Sequence, residues 1–134
     1  MIDQILTVDP NLINEVKYDD KGLVPAIVQD MDNGEILMMA YANKESLQLT
    51  IDSGLATFWS RSRQEIWTKG ATSGNTIQVE AILLDCDGDT LVFLSHPSGP
   101  ACHTGDQTCF SRVLAKEVKP MTTGCSGCAG CGGH

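Results

Sequence analysis

Twice along this chain an apolar run breaks at a short turn signal and then resumes. Leu23 to Met31 and Glu35 to Tyr41 flank Asp32-Asn33-Gly34, and Ile77 to Leu84 and Thr90 to Ser95 flank a stretch containing Asp87-Gly88. Asn-Gly and Asp-Gly accept positive φ and favour hairpins, so both stretches predict antiparallel strand pairs. A third pair is expected from Ala56 to Arg63, which begins as a strand and turns polar, with Gln64 to Gly70 as its return. Between the first two pairs, Asn43 can cap a helix over roughly 43 to 53. Its apolar positions Leu47 and Ile51 lie four apart, and Gly54 can end it in the left-handed conformation. Residues 1 to 20 give weaker signals, with Leu12, Ile13 and Val16 as helical contacts, and a short strand is expected around Phe110 to Leu114. These elements predict an α+β fold, a β-rich single domain with one main helix; strand order does not follow from local pattern.

At 134 residues and 42% hydrophobic content, the chain can bury a core without disulfide staples. No stretch approaches the roughly 18 uninterrupted apolar residues of a spanning helix, and the N-terminus lacks a basic segment followed by an apolar run. The expectation is a cytoplasmic protein with no membrane partner. A formal charge of −8 argues against nucleic acid, whose phosphates are bound by clustered Lys and Arg. Six cysteines without a secretion signal read as reduced metal ligands in preference to a disulfide framework.

The chemistry concentrates between positions 85 and 109, where Asp85, Cys86, Asp87 and Asp89 precede Cys102, His103 and Cys109. Three neighbouring carboxylates raise one another's pKa unless a cation neutralises them, and an oxygen-only set suits Mg²⁺. An acidic hairpin turn is the plainer reading of such a run taken alone. Cys102 and Cys109 have six residues between them and Cys86 is far upstream, unlike the paired spacing of structural zinc sites. Three thiolates would leave a fourth zinc position open, where bound water is acidified. His103 is a candidate proton carrier or a support for the neighbouring ligand. Buried free cysteines are the bland alternative, and three beside His and Asp weigh against it.

Residues 1 to 52 hold ten acids against three lysines, whereas Arg61, Arg63 and Lys69 fall close together. Ser60-Arg61-Ser62-Arg63 and the stretch from Lys69 through Thr72, Ser73, Gly74 and Asn75 offer guanidinium forks, hydroxyls and open backbone N–H groups that suit phosphate. A solvated strand face is the alternative. Trp59 and Trp67 could stack on a base or fill the core. After Pro120 the chain becomes Gly-rich, and Cys125, Cys128, Cys131 and His134 recur every third residue. That gives a domain over 1 to 120 and a tail over 121 to 134, for which an accessory metal site is expected.

Taken in order, Phe58-Trp59-Ser60-Arg61-Ser62-Arg63, then Trp67, Lys69-Gly70 and Thr72-Ser73-Gly74-Asn75, then Asp85-Cys86-Asp87 and Asp89, then Cys102-His103-Thr104-Gly105 and Cys109 resemble the phosphoribosyl-AMP cyclohydrolase family of histidine biosynthesis. The resemblance runs from about residue 23 to about residue 114. It implies a hydrolase that opens the N1–C6 bond of the purine ring of 1-(5-phosphoribosyl)-AMP. It further implies Zn²⁺ on Cys86, Cys102 and Cys109, Mg²⁺ on Asp85, Asp87 and Asp89, and His103 as the catalytic proton carrier. Substrate binding is implied for Trp59, Ser60, Arg61, Ser62, Arg63, Lys69, Thr72, Ser73, Gly74 and Asn75. A homodimer with the metal site at the subunit interface is implied, Cys86 of one chain lying beside Cys102 and Cys109 of the other. Nothing foldable follows Pro120, so a monofunctional form is expected, without the pyrophosphohydrolase domain often fused behind it. The rival readings are a non-enzymatic zinc-binding interaction module and a nucleotide deaminase. The His-x-Glu and Pro-Cys-x-x-Cys pattern of zinc deaminases is absent from the sequence.

Overall fold

The computed structural model describes residues 6–102 and 104–118. Strands β1 (Val24–Asp30) and β2 (Ile36–Ala42) are followed by helix α1 (Lys44–Ser53). A short hairpin of β3 (Thr57–Ser60) and β4 (Glu65–Thr68) comes next, then β5 (Ile77–Leu84) and β6 (Leu91–Pro97). The three expected antiparallel pairs all form. What local pattern could not give is the order β2-β1-β6-β5, in which β1 and β6 run parallel, Ala26 opposite Leu91 and Asp30 opposite Ser95.

Residues alternate in and out along β1 because successive side chains project to opposite faces, and Val24, Ala26, Val28 and Asp30 are the buried set. Pro25 stands one residue outside the β6 ladder, where its missing N–H forfeits no bond to that neighbour. The turn at Asn33-Gly34 is wider than a two-residue turn. Gly34 alone takes positive φ, its N–H bonds to the Asp30 carbonyl at 2.8 Å, and the Asp30 N–H bonds to Glu35 O. The extra residues coincide with a register shift between Val28 and Gln29.

The helix begins on a reciprocal cap. Asn43 Oδ1 accepts from the Ser46 N–H at 2.8 Å, and Ser46 Oγ accepts from the Asn43 N–H at 2.9 Å. Gly54 ends it with φ of 75°. Buried Thr50 ties the helix to β3, since its Oγ1 accepts from the Thr57 N–H at 3.0 Å and donates to Ser46 O. The β3–β4 hairpin joins the main sheet through Ala56 N–H to Ile77 O and Val79 N–H to Gly54 O. Phe58, fully buried, holds it there with its ring 5.2 Å from Trp67 and 5.8 Å from Phe93. Trp67 therefore packs against the core.

Two expectations are corrected. The segment around Phe110 to Leu114 is not a strand. Thr108 Oγ1 and Cys109 N–H bond to carbonyls of β2, but the chain then leaves the sheet, with Phe110 and Leu114 exposed. Its apolar side chains find no partner ladder among the described residues. Near the N-terminus, only a 3-10 turn forms at Ile13–Glu15. Ile13 and Val16 rest against the core while Leu12 stays exposed. Among the described residues, no helix is long and apolar enough to cross a membrane.

Candidate active site

The β5–β6 turn builds the first half of the site. Gly88 has φ of 77°, and a Cβ there would meet Glu15 O at 2.7 Å, because Lys17 N–H closes on Gly88 O and packs the N-terminal segment against the turn. The segment is bent, so alternation along an extended strand does not operate. Even so, the carboxylate oxygens of Asp85, Asp87 and Asp89 lie within 4.8 Å of one another. Asp85 Oδ1 accepts the N–H groups of Asp89 at 2.9 Å and Thr90 at 3.3 Å. Against the upward pull of desolvation, hydrogen bonds from the Asp89 side chain and the N–H groups of Asp89, Thr90 and Gly88 hold the Asp85 carboxyl below its usual range. Asp89 moves the other way, raised by its hydrogen bond with Asp85 and by the charges of Asp85 and Asp87. Three carboxylates this close present crowded negative oxygens, which fit a hard cation such as Mg²⁺. Cys86 projects from the same turn and is exposed.

Cys102 and Cys109 sit in the segment after β6. Cys109 is pinned by its N–H to Leu37 O at 2.7 Å, with Thr108 Oγ1 on Ile36 O at 2.6 Å. Cys102 is half-buried, and Thr104 Oγ1 donates to its sulfur at 3.1 Å. That hydroxyl, then the Thr104 N–H and Cys109, lowers the Cys102 thiol, while burial and then Cys102 raise Cys109. One sulfur thus favours the thiolate and its neighbour the thiol, a pair of soft donors suited to Zn²⁺. Thr104 is a contributor that residue-by-residue reading of ligand types passed over. His103 lies outside the described residues, as does the Cys125, Cys128, Cys131 and His134 tail.

The loop from Gly70 to Thr76 docks onto the same segment. Ser98 N–H and Oγ both bond to Thr76 O, and Asn75 Oδ1 lies against Gly99. Gly70 has φ of 81°, and a Cβ there would overlap the backbone of Asn75 and Thr76; at Gly74, φ 86°, a Cβ meets only open space. Gly70→Ala should therefore cost about 2–5 kcal/mol, left-handed strain plus backbone overlap. Gly74→Ala should cost about 1–2 kcal/mol, the strain alone. Urea midpoints read both, and equal losses would show that the overlap relaxes. Lys69 is near enough for its charge to act on Cys109.

These groups fall at two ends of one sheet. Leu84 pairs with Leu91 beside the Asp85–Asp89 turn, and Ile77 pairs with Pro97 at the far end, where the Cys102 segment begins. Leu37, which carries Cys109, lies on β2 next to Ile36, whose partner Gln29 stands opposite Leu94 of β6, so Cys109 is separated from the Asp85–Asp89 turn mainly across the strands, on the opposite edge of the sheet. Seven residues of β6 separate the ends by roughly 20 Å. Among the described residues, the aspartates are the one cluster of three such ligands, and Cys86 does not join Cys102 and Cys109. Arg61 belongs with the turn end, its guanidinium carbon 4.1 Å above the ring of Tyr41. Arg63 Nε instead faces Glu65 at 3.4 Å. Trp59 and Ser60 are half-buried on β3, and Ser62 and Arg63 are exposed in and beside its turn.

The family model described as phosphoribosyl-AMP cyclohydrolase matches residues 38–111. A protein of that name from Micrococcus luteus is 55% identical over 101 residues, covering 75% of this chain and 80% of the relative. Another, from Cenarchaeum symbiosum, is 54% identical over 103 residues, 76% of this chain and 95% of the relative. The histidine biosynthesis bifunctional protein HisIE of Thermus thermophilus is 52% identical over 109 residues, and there the match spans 81% of this chain but 51% of the relative.

Proposed function

Because this chain belongs to the phosphoribosyl-AMP cyclohydrolase family of histidine biosynthesis enzymes, we propose that it hydrolyses the N1–C6 bond of the purine ring of 1-(5-phosphoribosyl)-AMP as a cytoplasmic homodimer using Zn²⁺ and Mg²⁺. The observation that carries the dimeric reading is the separation of Cys86 from Cys102 and Cys109 across the sheet. Two chains arranged about a two-fold axis can set the turn end of one against the far end of the other, making two equivalent composite sites.

In each such site, Cys86 of one subunit and Cys102 and Cys109 of the other would hold Zn²⁺, while Asp85, Asp87 and Asp89 would hold Mg²⁺. Zn²⁺ supplies Lewis acidity and an acidified water when bound, and Mg²⁺ neutralises negative charge on a phosphorylated substrate. Thr104 donates to the Cys102 sulfur and makes that thiol more acidic. His103, next to Cys102 in sequence, carries the proton to the departing ring nitrogen. The substrate bears two phosphates, and the basic groups also fall at two ends, Arg61 and Arg63 on one and Lys69 with Thr72 to Asn75 on the other. Across a dimer they bracket a doubly charged nucleotide, with Ser60 and Ser62 adding hydroxyls and Trp59 a face for the base.

The test is ring opening of 1-(5-phosphoribosyl)-AMP followed by ultraviolet absorbance, with ammonia assayed in parallel. Ring opening without ammonia is expected; release of ammonia would move the chain to the deaminases. Cys102→Ala should lower turnover by at least about 10³-fold and reduce zinc content together. Full turnover in that variant refutes the ligand assignment.

A further inference from the structure

The two arginines of the β3–β4 turn are not equivalent. Arg63 Nε is engaged by the carboxylate of Glu65 at 3.4 Å. Arg61 has no ion pair among the described residues; its contact is with Tyr41, its guanidinium carbon lying 4.1 Å from the ring centroid. A stacked guanidinium keeps its N–H donors pointing outward in the plane, in the fork geometry that matches two oxygens of a phosphate. Tyr41 comes from β2, where it pairs with Pro25, and is half-buried. Its ring is therefore a fixed platform, whereas Arg61 is exposed at the tip of a hairpin and would otherwise sample many rotamers. Asp19 is the nearby acid that feels Arg61. Its Oδ1 accepts the N–H groups of Leu23 and Lys21, at 2.9 and 2.8 Å, and it forms no ion pair with Arg61.

We propose that Tyr41 is a positioning residue that holds Arg61 over its ring and presents the guanidinium edge to a phosphate of the nucleotide. This rests on the nucleotide-binding reading given above. It assigns Arg61 a direct anion contact and gives Tyr41, which touches no substrate atom, its effect through Arg61.

The test combines Tyr41→Leu, Tyr41→Phe, Arg61→Gln and the Tyr41→Leu/Arg61→Gln double variant, each at full chain length. Two readouts are used: KM and kcat with 1-(5-phosphoribosyl)-AMP, and equilibrium dialysis of AMP, which needs no turnover. Arg61→Gln should raise KM and the AMP dissociation constant by about 10- to 100-fold with kcat changed far less. Tyr41→Leu should raise both by about 3- to 10-fold, and Tyr41→Phe, which keeps the ring, should stay within about twofold of wild type. The double variant should be no weaker than Arg61→Gln alone, because the platform has nothing left to position. Additive losses in the double variant, a Tyr41→Phe defect equal to that of Tyr41→Leu, or an effect confined to kcat would each overturn the proposal. A wild-type protein that binds AMP but opens no ring would refute the cyclohydrolase reading, while the dialysis pattern would still decide the role of Tyr41.

Discussion

Mixing two inactive variants should restore turnover. Cys86→Ala and Cys102→Ala each remove one thiolate from every site, and each homodimer should be inactive. In a mixed dimer, one composite site receives both substitutions and the other receives neither. Random reassortment makes half the dimers mixed, each with one intact site of two, so about a quarter of wild-type activity should return. Co-expressing the two chains, or refolding them together, and assaying ring opening provides the measurement. If all three thiolates came from one chain, no mixture could rebuild an intact site, and activity would stay at the level of the separate variants. Among the described residues Cys86 does not join Cys102 and Cys109 in one cluster, which is what favours the two-chain arrangement.

Phe58→Ala should be the most destabilising core change in the molecule. The ring is fully buried where the β3–β4 hairpin meets the main sheet, against Trp67 and Phe93. Truncation removes apolar burial and leaves a cavity that the flanking sheets cannot close, a loss of about 3–5 kcal/mol. Set against a typical domain stability of about 5–15 kcal/mol, this brings the protein near its unfolding threshold. Thermal midpoints should fall by roughly 10–20 °C, and Phe58→Leu, which conserves much of the volume, should lose less than half as much. A loss under about 1 kcal/mol for Phe58→Ala would mean that the hairpin is held by its backbone bonds and not by this ring.

The contrast between what was legible in the sequence and what was not follows the range of the interactions. The Asn43 cap, the Gly54 stop and the strand pairs on either side of Gly34 and Gly88 are local, and each leaves its mark within a few residues. The parallel contact of β1 with β6 leaves none, because no turn joins them. The run from Asp85 to Cys109 reads as one dense cluster, yet a whole strand lies inside it and carries its two parts to opposite ends of the sheet. The aspartates meet through a bent turn, not through strand alternation. Tyr41 escaped notice for a related reason: a ring from β2 under an arginine from the next hairpin has no periodic signature. The apolar residues from Phe110 to Leu114 read as a short strand, but apolar character reports a wish for cover, and cover is not always a ladder.

The pairing of Ala26 with Leu91 also sets a timetable. During synthesis β1 leaves the ribosome long before β6 exists, and at about 5–20 residues per second the gap is roughly 3–13 s. For that interval the first hairpin offers the β1 edge, with buried-face residues Val24, Ala26 and Val28, to whatever strand is nearest. Domain closure therefore depends on a late-made strand entering the middle of the sheet. A nascent chain arrested before residue 91 should be a substrate for chaperones, where one released after residue 97 should not.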